Sequence, residues 1–208
     1  MFGLITGAIL ASGVAISKAL AVAGMAVQGL KVVGNAIASI AKALGVLKPE
    51  SNVEEIGDRA MQAEEQGIRP EDFDTYEAWV REIEEEDWGY DPEKNRNMEP
   101  EKKILKGVEV SSAVVMEKFQ DLPMEDFFVI AGTNPDFFSV DRMEEIGKLA
   151  DTNPDMFGNV VKYVTGEAKD HAVVNDVTDL FMDIEKSIEP GISDERAYNK
   201  AASFYSIK

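Results

Sequence analysis

The chain has 208 residues, 45% apolar and 29% charged, with 39 acids against 21 lysines and arginines, a net charge of −18 and no cysteine. An acidic excess of this size excludes nucleic-acid binding through phosphates, which needs clustered Lys and Arg. The missing cysteine excludes disulfides, thiolate metal sites and a Cys nucleophile, while the apolar content suffices for a buried core.

The charge is divided along the chain. Residues 1–48 carry Lys18, Lys31, Lys42 and Lys48 and no acid, whereas 49–208 hold every Asp and Glu, so the first part is +4 and the second −22. An apolar segment joined to a strongly acidic one asks for two different surroundings. The reading is an all-α chain with two parts: a Gly/Ala-rich apolar segment over 1–48 and an acidic multi-helix domain over 49–208.

From Phe2 to Leu47 there is no proline and an Ala/Gly/Val/Ile/Leu composition that favours helix. A single rod of that length would run roughly 65–70 Å at 1.5 Å per residue, about twice the hydrocarbon thickness of a bilayer. The expectation is therefore a long apolar helix or a helical hairpin bent near Gly24 or Gly29. The longest lysine-free run, Met1 to Ser17, is slightly short for a span, and a lysine at mid-bilayer costs roughly 2.5–3.5 kcal/mol. Gly13, Gly24, Gly34 and Gly45 recur at intervals of 10 or 11 residues. That period keeps small residues near one helix face, where backbones can approach closely.

A helix that is apolar all round is buried somewhere: in lipid, among copies of itself, in a larger particle, or inside the protein's own helices. The candidate membrane or assembly contacts are Phe2, Leu4, Ile9, Gly13, Ile16, Lys18, Gly24, Val27, Lys31, Gly34, Ile37, Lys42 and Gly45. No basic region precedes the apolar run, so a standard cleavable signal peptide is not expected. A membrane-associated or particle-incorporated location is.

Helix punctuation takes over at Lys48-Pro49-Glu50. Ser51-Asn52-Val53-Glu54 reads as a capping box, with Ser51 the cap, and Gly67 closes that helix. Pro70-Glu71-Asp72 opens a turn, and Tyr76, Trp79, Val80 and Ile83 mark one face of a short helix from Thr75 to about Asp87. Residues 87–100 form a loop. Its alternating Asp87, Asp91, Glu93 and Asn95 invite a calcium reading that the EF-hand template rejects, since Pro92 and Met98 occupy its glycine and terminal acid positions. Trp88 and Tyr90 are expected to pin the loop to the domain. Pro100 starts a helix running to about Phe119.

An internal repeat follows, at 128–138 and 147–157, in which Thr133-Asn134-Pro135-Asp136 matches Thr152-Asn153-Pro154-Asp155. Each Asn-Pro-Asp reads as a helix start: Asn caps, Pro takes the first helical position and Asp meets the dipole. Asp170 to Ser187 presents Val173, Val177, Leu180, Phe181 and Ile184 on one face, and Ser193 caps a last helix reaching Phe204 and Tyr205. That makes about seven helices after residue 50.

His171 is the only histidine, so neither a His-based zinc site nor a Ser-His-Asp triad can be built from this chain alone. No phosphate loop, dinucleotide fingerprint or nucleophile elbow occurs, and no cofactor is expected. The expected function is that of a non-enzymatic structural or interaction protein. Its apolar helix would anchor it in a membrane or inside a multisubunit assembly, for example a phage or phage-tail-like particle, as a homo-oligomer or part of a larger complex. The acidic domain would engage other proteins. The alternative is a membrane-permeabilising effector whose acidic helices sheath an apolar hairpin until triggered. At the level of layout alone this resembles helical pore-forming bacterial toxins.

Overall fold

Two helices rather than one rod come first, α1 over Phe2–Val22 and α2 over Val27–Ala43. The computed structural model describes residues 2–22, 27–85 and 88–204, with side chains from residue 11 onward except those of 22 and 28. Gly24, Asp87 and Tyr205 lie outside the described residues. Among the described residues all regular structure is helical: ten α-helices and one 3-10 turn over Pro70–Asp72.

α2 ends at a glycine-dependent stop. Gly45 adopts φ +71, Gly45 N donates to Lys42 O at 2.8 Å, and Val46 N donates to Ala41 O at 3.0 Å. This pairing satisfies carbonyls that the last turn would otherwise leave free.

α3 (Val53–Glu65) is capped by Asn52, not Ser51: the Asn52 side chain accepts from Glu54 N and Glu55 N, both at 3.1 Å. Ser51 is unavailable because its hydroxyl turns inward and donates to Glu84 at 2.6 Å. α4 (Tyr76–Glu84) is capped by Thr75 and also by Glu117, whose carboxylate accepts Tyr76 N and Glu77 N at 2.8 Å each.

α5 (Pro100–Lys118) is followed by α6 (Met124–Thr133), α7 (Val140–Thr152), α8 (Pro154–Thr165), α9 (His171–Ile188) and α10 (Asp194–Ala202). That is eight helices after residue 50 rather than seven. The additional one is α6, whose Met124, Phe127, Phe128 and Ala131 are buried.

The two repeats share an ending, not a beginning. Asn134 closes α6 and Asn153 closes α7, in similar backbone conformations. Only Asn153 then starts a helix, accepting from Met156 N at 3.2 Å. After Asn134 the chain makes a turn, and Ser139 caps α7 instead. The difference lies in the next residues: Phe137 and Phe138 are both buried, and a turn lets two adjacent rings enter the core together. Phe137 meets Phe181 and Phe204, while Phe138 meets Phe127 and Phe204.

α5 is the central mast, packed against α1, α2, α3, α4 and α6, with α2 wedged between α5 and α7. One hydrophobic core runs from Ile16 and Leu20 through α2 to Phe181 and Phe204, so packing crosses the charge boundary at residue 48.

Candidate functional site

The residues singled out in the apolar segment fall into two environments. Ile16 and Ile37 are fully buried, and Gly13 and Gly34 are buried beside them. Lys18, Val27 and Gly45 are exposed, while Lys31 and Lys42 are half-buried. Phe2, Leu4 and Ile9 belong to α1, but their side chains, like Gly24, lie outside the described residues. The glycines do not form one stripe: Gly13 is on α1, Gly34 is on α2, and Gly45 is the stop after α2.

The two helices are seated differently. α2 buries Leu30, Val33, Ala36, Ile37, Ala38, Ile40 and Ala41, because it is covered by α3, α5, α6 and α7. Over its described side chains α1 buries Gly13, Ile16, Ser17 and Leu20 against α5 and α6 and exposes Ala11, Ala15, Lys18 and Ala21. Those spacings are the inner and outer faces of one helix. Among the residues with described side chains, no helix is long and apolar enough to cross a membrane.

Glycines make the seat. A Cβ at Gly13 would lie 2.6 Å from the Glu109 carbonyl oxygen and 3.1 Å from the Ala113 Cβ. A Cβ at Gly34 would meet Val53 at 2.7 Å and Val108 at 3.0 Å. From the acidic part, Gly132 on α6 leaves room for the Leu20 methyl group, and Gly147 on α7 receives Ile40, whose nearest carbon would be 2.7 Å from an added Cβ. Sequence reasoning missed Gly132 and Gly147. The available signal was a glycine inside an otherwise helical apolar pattern, which costs helix stability and so points to close packing.

Polar groups clasp the joint between the two parts. The buried Glu84 carboxylate accepts Lys48 N at 3.0 Å and the Ser51 hydroxyl. Lys48 Nζ donates to the Glu84 carbonyl at 2.8 Å and pairs with Glu85 at 3.5 Å. Burial raises the Glu84 carboxyl above its ordinary range, although Ser51, Lys48 and Arg59 pull the other way. Arg81 donates to the Gly45 carbonyl and Lys118 to that of Leu44, cations at the end of α2 where the helix dipole favours them. Lys31 pairs with Glu54 at 3.1 Å.

Beside Val14 of α1 a cavity of about 350 Å³ is lined by Glu64, Arg69, Pro70, Glu71, Lys106 and Glu109. Lys106 bridges Glu64 at 2.7 Å and Glu109 at 2.6 Å. Burial pulls its ammonium pKa down, and the two carboxylates more than reverse this.

Two further polar groups organise the acidic part. The loop from Trp88 to Glu99 is pinned to α3 and α4: Asp58 accepts from Asn95 at 2.6 Å and from the Tyr90 hydroxyl at 3.2 Å, Gln62 donates to the Asp91 carbonyl at 2.8 Å, and Trp88 donates to the Ile83 carbonyl. Burial, with Asp58 beside it, pushes the Tyr90 phenol up to about 12. Asn95 is thus turned toward Asp58, and among the described residues no group of three or more His, Asp or Glu is placed to hold a metal. At the far end Arg142 of α7 and Glu185 of α9 form a buried ion pair, with Arg142 Nε 3.0 Å from Glu185 and its guanidinium over the Phe137 ring. Asp136 and Asp155 of the repeat are exposed.

No protein-family model, curated protein or solved structure is found to match the chain.

Proposed function

We propose that the chain is a non-enzymatic structural and interaction protein in which α2 and the acidic helices form a water-facing body and α1 is the element that engages a membrane or a larger assembly, such as a phage or phage-tail-like particle. The observation that supports this reading is the unequal seating of the two apolar helices. α2 is covered on several sides, whereas α1 lies on the body by one face and turns Ala11, Ala15, Lys18 and Ala21 outward. An apolar helix held by one face has surface left for a second surrounding. The acidic surface keeps the body in water and suits contacts with other proteins.

The test is the mass of the full-length particle with and without detergent, together with flotation on liposomes. Oligomers, detergent-dependent mass or flotation support the reading. A strict monomer that ignores both detergent and liposomes sinks it.

The second reading, a permeabilising effector, is favoured by the way α3, α5, α6 and α7 cover α2. It requires dye release from liposomes under some condition. Ordered oligomers in solution without leakage at any pH count against it.

A further inference from the structure

We infer that the groove between α8, α9 and α10 is a docking site for an acidic segment of a partner protein, one that carries a carboxylate beside an aromatic side chain. This site goes beyond the role given to α1, and either can fail without the other.

Local punctuation builds the groove. Gly166, at φ +80, stops α8, and Glu167 N and Ala168 N both donate to the Lys162 carbonyl, at 2.7 and 2.9 Å. That turn sets Ala168 and Lys169 in one wall before Asp170 caps α9 by accepting Ala172 N at 2.9 Å. α10 packs along α9 with Ala197 and Ala201 buried, and the ion pairs Lys186–Asp194 and Lys200–Glu189 hold it there at 2.8 and 2.9 Å. Between these elements lies a cavity of about 530 Å³ lined by Lys169, His171, Asn175 and Tyr198, with Tyr163 and Val174 among its apolar walls.

Charge selects the occupant. None of the described residues lining this groove is an acid, whereas four other cavities of the chain each take in at least one carboxylate, such as Glu55, Glu64, Glu185 and Glu144. In a chain with 39 acids, an acid-free concavity is where a partner's carboxylate meets least repulsion. The remaining surface charge is screened beyond about 8 Å at physiological salt. Donors are available, since among the described residues the exposed side chains of Lys169, His171 and Asn175 have no hydrogen-bond or ion-pair partner. A single lysine with neutral donors matches one carboxylate, whereas phosphate sites bring an arginine fork or a run of backbone amides. The aromatic requirement comes from the tyrosines. Tyr198 is 52% exposed, more than any other large hydrophobic side chain among the described residues, and the buried Tyr163 is braced edge-on against Phe181 at 5.8 Å. Tyrosines in a concave surface with few charges are the usual anchors of protein–protein contacts.

The probe is the peptide acetyl-Gly-Asp-Phe-Gly-amide, titrated into the 15N-labelled full chain while backbone amide shifts are followed. Saturable shifts should fall around Ala168, Lys169, His171, Asn175 and Tyr198. Replacing Asp by Asn or Phe by Ala in the peptide should each weaken binding about tenfold, the loss expected for one charged contact or one anchoring ring. Lys169→Glu and Tyr198→Ala should weaken it similarly. Both positions are exposed, so the fold should survive, which circular dichroism checks.

Equal binding of the Asp and Asn peptides, shifts that fail to saturate or spread over the acidic surface, or indifference to both substitutions overturns the proposal. So does inorganic phosphate producing the same saturable shifts, which would make the groove a site for free anions. None of these measurements involves α1, so particle mass and flotation report on that helix separately.

Discussion

Gly57 of α3 and Gly107 of α5 face each other where the two helix backbones meet directly: a Cβ on Gly57 would lie 2.7 Å from Gly107 N and collide with the Lys103 carbonyl, and one on Gly107 would collide with the Val53 carbonyl. Gly57→Ala or Gly107→Ala removes a helix-interior glycine, a gain of about 1 kcal/mol. Yet each forces backbone against backbone, which puts the cost at the upper end of the about 1–3 kcal/mol typical of overpacking. Net destabilisation is expected from either in urea unfolding, with the double variant costing less than the two combined, since one forced separation relieves both. A stabilised single variant would show that the helices are not this close.

The joint should respond to pH in a direction opposite to simple acid release. The buried Glu84 has a raised pKa in the folded state, so the folded chain holds that proton more tightly than the unfolded one. Its ionised form opposes folding above the folded pKa, and the opposition is relieved as pH falls through that value. The wild type should therefore gain stability relative to Glu84→Gln on acidification, measured by urea unfolding across the carboxylate range. A flat difference, or one of opposite slope, would falsify the burial argument. An acid trigger, if one operates, must come from other carboxylates.

Truncation separates the two apolar helices. A chain beginning at Val27 loses Ile16 and Leu20 from the core, worth about 3–6 kcal/mol together at 1.5–3 kcal/mol per buried side chain. It should still unfold cooperatively, though at lower denaturant. A chain beginning at Ser51 loses Leu30, Val33, Ile37 and Ile40 as well, and should show helical signal without a cooperative transition. Circular dichroism during urea titration distinguishes them.

The repeat offers a matched pair. Asn153→Ala removes the cap of α8 and should cost about 1 kcal/mol. Asn134→Ala should cost less, since Asn134 starts no helix and its amide donates only to the Ile130 carbonyl and Thr133. Equal losses in thermal unfolding would mean that both motifs act as caps.

Arg142→Ala leaves the buried Glu185 carboxylate paired with Lys200 alone, at 3.1 Å, and should cost somewhat less than the about 3–5 kcal/mol of an uncompensated buried charge. Replacing both partners, as in Arg142→Met/Glu185→Leu, should cost much less, although Lys200 then loses its 3.1 Å contact with Glu185. Chemical denaturation of the three proteins checks the order.

Local signals carried the all-α class and most helix limits. Helices start at Thr75 and Asp170 as expected, each of these residues turning out to be the cap, Ser193 caps as expected, and Pro100 opens α5. Trp88 and Tyr90 pin their loop for the same reason: a ring beside a polar tip has one buried end and one bonded end. What stayed hidden was set by distant neighbours. Ser51 lost its cap role to Glu84, 33 residues away, and the first Asn-Pro-Asp lost its helix to the burial of Phe137 and Phe138. The seat was least legible, because its glycines come from both sides of the charge boundary and a pattern along one helix cannot show which glycine faces which leucine.

The position of that seat on α5 has a consequence for its two walls. Glu109 and Ala113, which receive α1, lie within two turns of Gly107, where α3 grips the same helix from another side. With α2, α3 and α4 all braced against α5, the α5 wall is held from several other sides. The α6 wall packs on α1 more than on any other helix, so loss of α1 should loosen α6 before it disturbs α5.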